Sequence, residues 1–130
     1  MIQKTTDGGQ TWTTQPTGKE DILEDIFFLD ASLGWAVGEN GVILHTSDGG
    51  ENWKEQMSGT EETLRSVGFA DAMNGWAVGG DFGVGALLKT SDGGENWELE
   101  DSKEKIVKVF VLDGQNVWVA SATGAVMQAQ

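Results

Sequence analysis

The sequence predicts an all-β fold: a β-propeller segment of four-stranded antiparallel blades, with about three blade equivalents in the chain. Three observations carry this prediction. The 130 residues include 19 glycines, six tryptophans and one proline, a composition that suits many short elements joined by tight turns. A shift of 41 residues lays residues 5–38 on 46–79 without a gap, and 17 of those 34 positions are identical. A third copy opens as Lys89-Thr-Ser-Asp-Gly-Gly-Glu-Asn-Trp97, matching residues 45–53 after a shift of 44. Periods of about 40–45 residues are what one four-stranded blade requires.

Taken in order, residues 1–15 carry the end of a repeat: 2–5 resemble a third strand and 11–15 a fourth. The blade at residues 22–57 has β-rich runs bounded by turn residues at 25–29, 34–37, 42–46 and 52–57. The blade at 63–101 repeats them at 64–70, 75–78, 86–90 and 96–100. It carries three extra residues around Gly80-Asp81-Phe82-Gly83-Val84-Gly85, read as a loop of altered length or a contact loop. The blade at 105–128 has runs at 106–112, 117–120 and 125–128 and lacks a fourth. Residues 1–15 carry that missing piece, so the expectation is a blade completed by the N-terminal strand of another chain. Two chains would supply six blades, within the usual range for closed propellers, and a homodimer is expected. Residues 2–5 and 125–128 compete for one third-strand position, so a few terminal residues would be displaced.

Charge narrows the partners. Eight Lys+Arg against 21 Asp+Glu leave a formal charge of −13. Nucleic acid and anionic membranes are therefore disfavoured, because both are bound by cations that neutralise phosphate; a basic protein partner fits. No cysteine and one histidine exclude thiolate and multi-histidine metal sites, and no metal or cofactor is expected. No apolar run approaches the roughly 20 residues of a membrane span, and MIQKTTDGGQTW lacks a signal-peptide layout. The chain reads as soluble, and its compartment is left open.

A turn motif recurs in three places: Asp7, Gly8, Gly9 and Trp12; Asp48, Gly49, Gly50 and Trp53; Asp92, Gly93, Gly94 and Trp97. A short carboxylate accepts backbone N–H bonds within its own turn, and glycine accepts positive φ. The tryptophan is expected to bury its ring and offer an indole N–H. Turn stabilisation is the reading adopted for these residues, with calcium binding as the competing one.

The pattern Ser/Thr-x-Asp-Gly-Gly-x-x-Trp resembles the Asp-box, or bacterial neuraminidase repeat. The fuller unit has Gly-Trp-Ala-Val-Gly followed by Gly-Val-Ile-Leu-His-Thr-Ser-Asp-Gly-Gly-Glu-Asn-Trp. It is similar to the blade of the photosystem II assembly and stability factor family and its bacterial relatives, over nearly the whole chain. The resemblance implies a non-catalytic propeller that binds protein during complex assembly, in a family whose members are often exported or lumenal. That family carries an arginine-rich surface, whereas Arg65 is the single arginine here.

Sialidase chemistry is excluded within the chain, which has one arginine and no tyrosine to grip and attack a sialoside. A carbohydrate-binding or glycosidase-related propeller is the alternative, since many acids are available. Most of them recur: Asp30, Asp71 and Asp113 each precede a second-strand tryptophan. Recurrence marks architecture, while catalysis needs an asymmetric site. Trp35, Trp76 and Trp118 are read as inter-blade packing rather than a sugar-stacking row. His45 stands where Lys4 and Lys89 stand, and is read as a surface residue. The loops expected on one propeller face carry Glu20, Asp21, Glu39, Glu61, Glu62, Asp81, Phe82, Asp101 and Glu104, which form the candidate partner-binding face.

Overall fold

The computed structural model describes residues 1–81, 84–102, 104–122 and 126–129. Short turns between β-rich runs make sequence neighbours into antiparallel sheet neighbours throughout. Ile2–Lys4 (β1) and Thr13–Gln15 (β2) pair as a two-stranded hairpin. Leu23–Phe28 (β3), Gly34–Gly38 (β4), Ile43–Thr46 (β5) and Lys54–Gln56 (β6) form one four-stranded blade in chain order. Leu64–Phe69 (β7), Gly75–Asp81 (β8), Val84–Thr90 (β9) and Glu98–Ser102 (β10) form the second. Ile106–Val111 (β11), Val117–Ser121 (β12) and Val126–Ala129 (β13) form a three-stranded sheet. No helix among the described residues is long and apolar enough to cross a membrane.

The core lies between blades. Trp35, Val37 and Ile43 of the first blade pack with Leu64, Val67, Phe69 and Leu88 of the second. Trp76 and Val78 of the second pack with Ile106, Val109, Val117 and Val119 of the third. On its other side the first blade offers Ala36, Val42 and Leu44 to Ile2 of the hairpin. A middle strand covered on both faces must be apolar at every position, which explains the wholly buried Gly34–Gly38. Removing a side chain the size of Leu64 from water contributes about 1.5–3 kcal/mol.

Register explains a detail of the repeat. Phe28 lies opposite Gly34 and Phe69 opposite Gly75, and each phenylalanine ring folds over its glycine. A Cβ on Gly34 would stand 2.6 Å from the Phe28 ring, so only glycine fits beneath it. In the third sheet the facing pair is Val111 and Val117. Without the large ring, valine takes the glycine position.

Several boundaries differ from those expected. The first strand of the first blade begins at Leu23 rather than 25, while that of the second begins at Leu64 as expected, and all three sheets break register near the start of their first strands, between Leu23 and Asp25, Leu64 and Ser66, and Ile106 and Lys108. The fourth strands begin at Lys54 and Glu98 rather than 52 and 96, because Asn52 and Asn96 fold back onto Asp48 and Asp92. The three extra residues of the second blade lengthen a hairpin instead of forming a loop, with Gly80 paired to Gly85 and Asp81 to Val84. Continuing the ladder satisfies backbone groups that a loop would leave to water. Phe82 lies outside the described residues. The first blade makes the same connection with a 3-10 turn at Glu39–Gly41.

Candidate functional site

The three turn motifs share one geometry. In the first blade, Thr46 Oγ1 donates to Asp48 Oδ1 at 2.8 Å and accepts from the Gly50 N–H at 2.9 Å. Asp48 Oδ1 also accepts from the Asn52 N–H at 2.9 Å, and its Oδ2 from Asn52 Nδ2 at 2.8 Å. Asp92 repeats this with Thr90, Gly94 and Asn96. Asp7 does so with Thr5 and Thr11, whose hydroxyl donates at 2.6 Å. Gly49 and Gly50 sit at φ 72° and 95°, a left-handed conformation that side chains disfavour. Gly49 and Gly93 anchor the turns by donating to Ser32 and Met73 carbonyls at 3.0 Å. These bonds favour the ionised acids. The Thr11 side chain first, then its backbone N–H, pulls Asp7 to about 2, and Asn52 does the same for Asp48. Asn96 lowers Asp92.

The motif tryptophans are less buried than expected. Trp53 and Trp97 are half-buried, and Trp12 is 57% exposed, because no described strand covers the outer flank of the hairpin. Trp97 Nε1 reaches Gln56 Oε1 of the preceding blade at 3.4 Å, while Gln56 Nε2 donates to Gly93 O at 3.2 Å. Trp35 Nε1 donates to the same carbonyl at 3.2 Å, and its ring stacks on Phe69 at 3.6 Å between centroids. His45 is half-buried rather than at the surface. It stacks on the other side of Trp35 at 4.6 Å, with Nδ1 2.9 Å from the Gly34 carbonyl.

At the candidate partner face the structure draws two groups together. Asn40 donates to Asp21 at 2.8 Å beside Glu39, and Lys19 lies 3.9 Å from Asp21 and 3.0 Å from Glu55. In the second blade Arg65 reaches Asp81 at 3.2 Å and Glu24 at 3.5 Å. A hydrogen bond to Asp81 raises the Glu62 carboxyl, with desolvation and Asp81's charge adding to it. Desolvation pushes Asp81 up, but its bonds to Glu62, Thr63 N–H and Arg65 outweigh this and leave it lowered. Glu20, Glu61 and Glu104 are exposed. Asp101 lies in β10, and its side chain is outside the described set.

One recurring contact escaped the sequence reading. At the register break of the first strand in both four-stranded blades, a polar side chain reaches the next blade: Asp25 Oδ2 accepts the Val67 N–H at 3.0 Å, and Ser66 Oγ the Val109 N–H at 3.1 Å. Lys108 holds the position in the third sheet and points back to Asp25 at 4.0 Å. The residue types differ, so identity did not reveal the site. Shared acceptor chemistry at positions 25 and 66 was the available signal.

Asp30, Asp71 and Asp113 each cap their own turn through Oδ1, with N–H donors at 2.7–2.9 Å. Among the described residues no group of three or more His, Asp or Glu side chains is placed to hold a metal ion. Chemically, the turn acids are strong acceptors already committed to neighbours.

Residues 3–130 match the family described as photosynthesis system II assembly factor YCF48. A structure of YCF48 bound to D1 peptide is 26% identical, with a TM-score of 0.75 over 86% of this chain and 37% of that one. YCF48 from Cyanidioschyzon merolae is 25% identical, with a TM-score of 0.77 over 90% of this chain and 39% of that one. The chain therefore spans about two fifths of the length of either structure. No curated protein matches it.

Proposed function

We propose that this chain, which belongs to the photosynthesis system II assembly factor YCF48 family, is a non-catalytic scaffold that binds a protein partner. The observation that carries the reading is its likeness to a YCF48 structure that holds a D1 peptide. The carboxylates support it. A glycosidase needs one acid with a raised pKa and a second carboxyl about 5–9 Å away across the scissile bond. Asp7, Asp48 and Asp92 are lowered and committed to turns. Glu62 is raised, but by a direct hydrogen bond to Asp81, which leaves no room for a sugar between them. Titrating the full chain with a D1 peptide, with and without excess mixed glycans, tests the reading. Peptide binding that survives the glycans is expected. Glycoside turnover, or glycan binding without peptide binding, would overturn it in favour of the carbohydrate-directed alternative.

The finer reading assigns the partner contact to the acidic end around Glu20, Asp21, Glu39, Glu61, Glu62, Asp81, Phe82, Asp101 and Glu104, and gives the partner segment a basic character. Charge reversal at exposed Glu61 and adjacent Glu62 should slow association and flatten its salt dependence. Unchanged association rates would count against this face.

A second part of the reading is self-association. Ile26, Phe28, Phe110 and Leu112 are exposed apolar residues on the two outer flanks, at 39–63%, and exposed apolar patches favour association. A homodimer would cover both flanks. Light scattering should then give twice the 13.9 kDa chain mass, and a stable monomer at high concentration would refute it.

A further inference from the structure

The chain holds two Asn-Gly pairs, at 40–41 and 74–75, and four Asp-Gly pairs, at 7–8, 48–49, 92–93 and 113–114. In such a pair the glycine has no side chain to keep its backbone nitrogen from the Cγ of the preceding residue. The nitrogen gives up its proton and bonds to Cγ, and from asparagine the side-chain amide leaves as ammonia. Water then opens the five-membered imide at either carbonyl, giving aspartate or isoaspartate. The reaction needs an electrophilic Cγ and a backbone free to turn the two groups together.

The fold withholds these from five of the six pairs. Ionised carboxylates are poor electrophiles. Asp7, Asp48 and Asp92 are kept ionised first by the side chains of Thr11, Asn52 and Asn96, and Asp113 by the Gln115 N–H. Asn74 is half-buried. Its Nδ2 lies 3.1 Å from both Asp71 oxygens, its N–H donates to Asp71 at 2.7 Å, and its carbonyl accepts the Ala70 N–H at 2.9 Å. Gly75 is buried beneath the Phe69 ring, with no space for even a Cβ. Asn40 is exposed at the tip of the β4–β5 hairpin. Among the described residues it is the one non-glycine with positive φ, at 59°, a conformation with a steric cost. The tip is closed by the Val42 N–H on Glu39 O at 3.2 Å, and the carboxamide is tied by Nδ2 to Asp21 Oδ1 at 2.8 Å. Turning Cγ onto the Gly41 nitrogen breaks these contacts and uncovers no aromatic ring, which makes it a local opening of low cost.

We infer that Asn40 is a modification site, converting spontaneously to aspartate and isoaspartate while Asn74 and the four aspartates are preserved. The product carries a carboxylate where the carboxamide donated to Asp21, so an attraction between the hairpin tip and the segment before β3 becomes a repulsion. Isoaspartate also adds a backbone carbon beside Gly41, where even a Cβ would collide with the Thr60 carbonyl. The change adds a negative charge to the acidic end, whatever that end binds.

Ageing the full-length chain in mildly alkaline buffer, folded and in urea, tests this. Peptide mapping by mass spectrometry reads the amide-to-acid conversion at each site, and enzymatic methylation of isoaspartate reads the rearranged product. In the folded chain Asn40 should convert at least about 10-fold faster than Asn74, as their different costs of local opening require. In urea the two rates should converge, because both asparagines precede glycine. Asn40→Gly suits a positive φ and should remove the isoaspartate signal with circular dichroism unchanged. The inference is overturned if Asn40 converts no faster than Asn74 in the folded chain, if isoaspartate forms first at an Asp-Gly pair, if the signal survives Asn40→Gly, or if urea leaves the ratio unaltered.

Discussion

The seam between the two four-stranded blades and the seam between the hairpin and the first blade use the same repeated residues, yet they differ in what covers them. At the inner seam Phe69 is 3% exposed, with Trp35 on its face and Trp97 at its edge. At the outer seam Phe28 keeps the edge contact, Trp53 at 5.9 Å, but its face is open. The turn motifs themselves do not differ, as Asp48 at the outer seam and Asp92 at the inner one hold the same bonds and are both lowered. Local turn chemistry is thus independent of the neighbouring blade, whereas burial of an identical residue is decided by the strand stacked on it.

The largest expected break in that comparison is Trp35→Ala. It empties a fully buried site and removes the bond to Gly93, and should cost about 3–5 kcal/mol in equilibrium urea unfolding. A loss under about 1 kcal/mol would mean the inner seam does not carry the fold. Gln56→Ala should cost about 1–3 kcal/mol, because Trp97 Nε1 then loses its acceptor. Trp12→Ala, on the open flank, should cost less than about 1 kcal/mol, and a larger loss would reveal a cover over the hairpin. Acid titration should not discriminate between the seams. Asp7 and Asp48 have folded pKa values below their usual 3.8, at about 2. Their stabilisation is therefore complete above pH about 4 and lost as pH falls through about 2. Asp48→Asn should flatten that acid limb, read by melting temperature across pH.

Much of this was legible in the residues. The 41-residue shift pairs Trp35 with Trp76, Phe28 with Phe69 and the Asp7 turn with the Asp48 turn, and a shift of 44 adds the Asp92 turn; these turns are legible because turn chemistry is local. The Asp25 and Ser66 contacts were not visible, since two different side chains perform one task across blades. Gln15 and Gln56 were among the identities, but nothing in a sequence says that an amide bridges to the next blade's turn. The three extra residues at 80–85 read in the sequence as a length variation or a contact loop; that the added length extends a hairpin is not legible there, because ladder pairing depends on the opposing strand. The exposure of Trp12 depends on what is stacked outside it, which no local pattern records.

The cover of a seam, and not the residue in it, sets the energy. The most direct test is to unfold Phe69→Ala and Phe28→Ala side by side at a concentration low enough to keep single chains. Phe69→Ala should lose about 3–5 kcal/mol, and Phe28→Ala less than half as much, because its face already meets water. Equal losses at the two positions would contradict the claim.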